Sequence, residues 1–339
     1  MKKVRRGFIK TLPYLCLVGV IALGLMTIVG TGGGGGGGGG ASTPTGISYT
    51  GLTTQATIDE NNAEDLAVGA YEGGHTGGAV GGIGAIQPGE SVHVDRPRML
   101  KVSQVLEGSL RQVDLMSRSS GTFIGAIYTE SGTIYGDCGG SASYSISVND
   151  QTGDFNGSLN FSSYCDDGVK ISGGVSFSGQ ADVNTGDLLK FTFSFNSLTG
   201  TSGSDSFTLN GNISCDVTVS PATITMTMLL QDNSTGKVYW VQNYTMTVTE
   251  GANYVDIELS GRYYDPDYGY INITTTTPFR IYDVDDYPSD GVLVVTGNTG
   301  IGGGSTMARL TALSSTTYQV EADTNGDGSY DWDSGVLYW

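Results

Sequence analysis

From about residue 121 onward, apolar and polar residues alternate with a period of two. Leu189, Phe191, Phe193 and Phe195 alternate with Lys190, Thr192, Ser194 and Asn196. Ile224, Met226 and Met228 alternate with Thr223, Thr225 and Thr227, and Val255, Ile257 and Leu259 with Asp256 and Glu258. Trp240, Tyr244, Met246 and Val248 fall on one side with Gln242, opposite Asn243, Thr245 and Thr247. Side chains of a strand point alternately to its two faces, so these runs predict half-buried strands. Between them stand turn residues: Asp166-Asp167-Gly168, Asn184-Thr185-Gly186-Asp187, Asn233-Ser234-Thr235-Gly236 and Asp265-Pro266-Asp267. No helical connection separates the strands, so neighbours pair antiparallel. The expected fold is mainly β: an antiparallel up-and-down meander that must protect its edges, closing as a barrel or a curled sandwich.

Ahead of the strands the period changes. Thr57-Ile58-Asp59-Glu60 fits a capping box and predicts a short helix over 62–71. Met99, Val102, Leu106, Leu110 and Val113 recur at steps of three and four, predicting a second N-terminal helix over 98–117, started by Asp95 and Pro97. Arg98, Lys101 and Arg111 lie on it and Arg96 and Arg118 flank it, and it reads as a helix packed on an acidic β domain. The organisation predicted is a signal peptide or anchor at 1–31, a Gly-rich spacer at 32–45, a helical and Gly-rich segment at 46–120, an antiparallel β domain at 121–280, and a C-terminal β unit with an Asp-rich loop at 281–339.

Charge narrows the function. The 339 residues hold 16 basic and 34 acidic side chains, a net of −18. Lys2, Lys3, Arg5, Arg6 and Lys10 precede an apolar run over 12–30. This is the basic and apolar architecture of an export signal, and Arg5-Arg6 resembles a twin-arginine motif. The run is also long enough for an uncleaved anchor, a membrane tether through the N-terminal segment. Once residues 1–40 are set aside, five basic residues are lost and 11 face 34 acids, a net of −23. That argues against a nucleic-acid partner, which needs clustered cations. Thr31 stands where a lipoprotein would have its acylated cysteine. The nine glycines at 32–40 form a flexible spacer.

Little catalytic material is present. The two histidines, His75 and His93, cannot supply a zinc site or a serine-histidine-aspartate triad. No G-x-S-x-G or P-loop occurs, and the glycines of 73–84 do not match G-x-G-x-x-G. The expected activity is non-enzymatic.

Two local chemistries stand out. In an antiparallel hairpin, paired residue numbers share one sum. Closing Asn149 on Asp154 pairs Val148 with Phe155 and Tyr144 with Leu159, and the same sum pairs Cys138 with Cys165. A disulfide between them is expected, with a bulge able to shift the register by one. Cys16 leaves with the signal, so Cys215 is expected to be an unpaired thiol. The second is a Ca²⁺ loop of low affinity at 323–333. Asp323, Asn325, Asp327 and Asp331 occupy positions 1, 3, 5 and 9 of an EF-hand-type loop, with Gly328 at position 6 and the Ser329 carbonyl at position 7. Ser334 replaces the usual bidentate Glu at position 12, next to Asp333. The competing reading is a plain turn, since Asn325-Gly326 and Asp327-Gly328 are strong turn pairs.

The Gly tract, Cys138-Gly139-Gly140-Ser141-Ala142 and the closing run from Val320 through Asp323 to Gly328 resemble a group of uncharacterised exported β-rich, lipoprotein-like proteins of Gram-negative bacteria. The resemblance implies an exported location and a β fold, and no activity. The expectation is an exported structural or interaction protein of the periplasm or cell surface. One alternative is a lipocalin-like barrel holding an apolar ligand. Another is an outer-membrane β-barrel, in which the alternation inverts; the terminal Trp339 suits it, while the weak aromatic girdles do not.

Overall fold

A computed structural model describes residues 46–75 and 127–339, apart from 167, 184–187, 203–204 and 286. The export signal, the Gly spacer, the helix expected over 98–117 and the turn at 184–187 lie outside the described residues. The described chain has one helix, α1 (Ala63–His75), and fourteen strands. They are β1 (Ile127–Tyr135), β2 (Gly139–Asn149), β3 (Asp154–Asp166), β4 (Val169–Ala181), β5 (Leu188–Ser202), β6 (Asp205–Asp216) and β7 (Ala222–Asp232). There follow β8 (Val238–Glu250), β9 (Tyr254–Asp265), β10 (Gly269–Tyr282), β11 (Asp290–Thr299), β12 (Ser305–Ser314), β13 (Thr317–Asp323) and β14 (Trp332–Tyr338). All fourteen form one antiparallel meander in sequence order. β10 pairs with both β9 and β11, so the sheet runs unbroken across residues 280–281. The sheet is not closed: β1 and β14 are its two edges, and they do not pair with each other.

Alternation decides which face is core. On β5, Phe191, Phe193 and Phe195 are buried, and the same inner face carries Phe155 on β3, Phe177 on β4 and Ile213 on β6. Ring centroids lie 6.4 Å apart for Phe155–Phe177, 6.2 Å for Phe177–Phe193 and 4.1 Å for Phe191–Phe193. Glycines make room for these rings. Gly157 on β3 is the register partner of Phe177, and Phe155 that of Gly179 on β4.

Three bulges bend the sheet. Ser163, Ser197 and Asn243 have positive φ, and the pairing register shifts beside each one. Each lies against a glycine of the neighbouring strand whose added Cβ would strike its carbonyl oxygen: Gly140 at 1.9 Å, Gly173 at 2.7 Å and Gly261 at 2.8 Å. A bulge inserts one residue, turns the strand and reverses the in-out order beyond it. This corrects one expected face. Trp240 and Gln242 do not share a side with Tyr244 and Met246, because the bulge at Asn243 lies between them. Tyr239, Val241, Tyr244 and Met246 are buried instead.

The helix packs against β8, β9 and β11–β13. Ala63, Leu66, Ala67, Ala70 and Tyr71 form its buried stripe at helical spacing. Glu64 and Asp65 sit in its first turn, where the helix dipole favours anions. Its cap differs from the expected box. The Asp59 N–H donates to Asn62 Oδ1, and Asn62 Nδ2 reaches the Thr57 carbonyl. Tyr244 donates its hydroxyl to the Ala70 carbonyl at 2.8 Å. Tyr71 packs on Phe279 and on the terminal Trp339, whose Nε1–H donates to the Ser314 carbonyl.

Candidate functional site

The expected disulfide is present: Cys138 and Cys165 are bonded, with Cα atoms 5.0 Å apart. The register from Val148–Phe155 to Ser141–Ser162 keeps the constant sum, then shifts by one to pair Gly139 with Cys165. The Cys138 N–H donates to the Cys165 carbonyl. Cys215 overturns the expected free thiol. It is disulfide-bonded.

The Asp-rich loop joins β13 to β14, and its own side chains hold its shape. Asp323 is fully buried. Its Oδ1 accepts the Gly326 N–H at 2.7 Å and the Asp327 N–H at 3.2 Å, and its Oδ2 accepts the Gly328 N–H at 2.8 Å. Asp327 Oδ1 accepts the Ser329 N–H. Asp331 accepts the Thr324 N–H, the Thr324 hydroxyl and Asn325 Nδ2, and these bonds hold its carboxyl below the usual range, the backbone bond foremost. Asp333 stands apart on β14, where Gln319 Nε2 and the Gly335 N–H lower its carboxyl.

The neighbouring hairpin braces this loop. The Gly302 N–H donates to the Asn325 carbonyl and the Gly304 N–H to the Gly326 carbonyl. A Cβ on Gly300 would lie 2.2 Å from the Asn325 oxygen, so the backbones meet this closely only with glycine there. Asp323, Asn325, Asp327, Ser329 and Asp331 thus share one loop, but their carboxylates mostly serve its backbone. Among the described residues, no three Asp, Glu, His or Cys side chains come together as a metal-ligating group. Asn325 Oδ1 is buried and accepts no hydrogen bond.

The outer face of β1–β6 carries a surface that the sequence reading passed over as ordinary polar strand faces. The register aligns Ser131, Ser145, Ser158, Ser176, Ser194 and Asn212 in one row across six strands. A second row holds Thr129, Ser147, Asn156, Ser178, Thr192 and Ser214. The rows continue on β7 through Thr227 and Thr225. All these positions are exposed or half-exposed. A shallow depression of about 440 Å³ sits in the middle of the two rows, over β2–β5. The signal was in the sequence as alternate Ser, Thr and Asn, but only the pairing register lines them up.

The outer face over β9–β13 differs. Arg262, Arg280 and Arg309 stack on Tyr270, Tyr254 and Tyr330, 3.9–4.3 Å from the ring centroids. Arg280 also grips Asp256 through two hydrogen bonds, and Arg309 pairs with Glu321. These cations are occupied within the sheet. No family model, curated protein or solved structure matches the chain.

Proposed function

We propose that the chain is an exported, non-enzymatic interaction protein of the periplasm or cell surface, with a packed inner sheet face and an outer face that meets its partner. The aromatic packing of the inner face carries this reading. Phe155, Phe177, Phe191, Phe193 and Phe195 are each at most 5% exposed and lie ring against ring. A lipocalin-like barrel needs apolar space where these rings stand. An outer-membrane barrel needs its apolar face turned to lipid, and this one is covered by protein. The terminal Trp339 packs on Tyr71 and Tyr318. The bulges and facing glycines curve the sheet over its packed inner face. Export agrees with the basic and apolar N-terminus and with a disulfide that persists in an oxidising compartment.

Cell fractionation with native mass spectrometry tests the reading. The expected result is protein in the external or periplasmic fraction, soluble without detergent and free of lipid. Co-purified lipid would favour the apolar-ligand barrel. A detergent-dependent, heat-modifiable species would favour the membrane barrel.

Calcium at the β13–β14 loop is a second reading, favoured by the buried acceptor Asn325 Oδ1. Asp327 and Asp331 would trade N–H and hydroxyl donors for the ion, so affinity would be weak, on the order of 10⁻⁴–10⁻³ M. Calorimetry showing no heat up to millimolar Ca²⁺ would remove it.

A further inference from the structure

The geometry points to a neutral polysaccharide as the partner of the outer face, lying across β2–β5 in the depression lined by Ser145, Asn156, Ser158, Ser176, Ser178 and Thr192. This rests on the interaction reading above and names the chemistry that such a surface recognises.

Charge comes first. The chain is 15% charged, so two rows of six positions would carry about two charges at its average composition. These rows carry none, on a chain of net −18. The charges nearest in register are Asp154, Lys190 and Asp216, one row beyond, of which Lys190 and Asp216 pair at 2.9 Å. A cationic or anionic polymer would find no counter-charge here. An apolar ligand or peptide would find no exposed apolar side chain along the rows.

What the rows do offer is hydrogen bonding of one kind. A serine or threonine hydroxyl both donates and accepts, as does an asparagine amide. Sugar hydroxyls need both roles, and a surface of such groups meets them in either orientation. Thr192 and Ser214 already bond each other at 2.8 Å, so cross-strand hydroxyls are within bonding reach. Strands repeat at about 4.8 Å, which places a donor–acceptor group under each successive ring-sized unit of a chain crossing the strands. Serines are short, so the face dips where they cluster, and few rotamers are frozen on binding.

The test uses the full chain and insoluble or soluble neutral probes: curdlan, cellulose, dextran and galactomannan, with polygalacturonate as the anionic comparison. The expected result is retention by at least one neutral probe. That retention should be unchanged between about 0.05 M and about 0.5 M NaCl, because no charge pair is there to be screened. Ser176→Arg and Ser178→Glu, made separately, should each weaken it by about tenfold. Either sign of charge must be desolvated in a neutral trough. Thr311→Arg, on the outer face of β12, should leave it unchanged. Melting curves confirm that each variant is folded. No retention by any neutral probe overturns the assignment. So does retention that both variants leave intact, or binding to polygalacturonate alone that fades with salt. Co-purified lipid in the mass spectrum would instead overturn the interaction reading beneath it.

Discussion

The ring of Phe177 on β4 occupies the space that a side chain at Gly157 on β3 would need. A Cβ there would lie 2.5 Å from Phe177 Cζ and 2.5 Å from the Ser145 carbonyl oxygen. The two residues are register partners, so the contact is built into the pairing of the strands. The same device recurs where Gly179 faces Phe155 and Gly200 faces Phe207.

Gly157→Val should destabilise the fold by about 2–3 kcal/mol, because overpacking a filled core forces rings off their rotamers. Phe177→Leu costs stability by itself, yet combined with Gly157→Val it should recover part of the loss. Urea melts of the four proteins measure the coupling. Strict additivity would show that the ring is not what excludes the side chain.

Asp323→Ala should lower stability by about 2–4 kcal/mol. It removes the acceptor of three N–H groups in a loop that is braced on both sides. Asp323→Asn keeps one acceptor oxygen and should fall between. Thermal unfolding followed by circular dichroism reads both.

The disulfide closes a span with a sequence separation of 27. Replacing Cys138 and Cys165 together by Ala should cost about 3–4 kcal/mol on the chain-entropy account. Non-reduced peptide mapping should give a Cys138–Cys165 peptide. A peptide joining either one to Cys215 would sink the assignment.

Acid should weaken the fold through its turn aspartates. Asp232 is buried, which alone would raise its carboxyl, but hydrogen bonds from Thr235 and Ser234 hold it below the usual range. At Asp216, burial likewise raises and the bonds from Lys190 and Thr218 outweigh it. A depressed carboxyl contributes its stability above the unfolded value, near 3.9, and loses it as pH falls through the folded one. The melting temperature should therefore drop below about pH 4. Asp232→Asn should flatten that acid limb while lowering stability at pH 7.

Much of this fold was legible along the chain. Strand runs, Asp- and Gly-rich turns and the short helix all follow from local periodicity and turn chemistry. So does the β2–β3 hairpin, whose constant sum led to the Cys138–Cys165 bond. Those features depend on residues near one another in sequence, where alternation and turn geometry leave few options. What escaped that reading depends on residues far apart. The bulge at Asn243 reverses the faces of β8 because Gly261 on β9 gives its carbonyl room. That Asp323 accepts three backbone N–H groups of its own loop emerges only once the loop closes. Nothing local in the chain marks Cys215 as disulfide-bonded rather than free. The hydroxyl rows of β1–β6 become a surface only when six strands pair in register. Alternation along the sequence sorts the residues of an unbroken stretch of strand onto two faces. Which residue lies beside another across the ladder depends on bulges and on the space that a neighbouring glycine leaves, and these the tertiary structure alone decides.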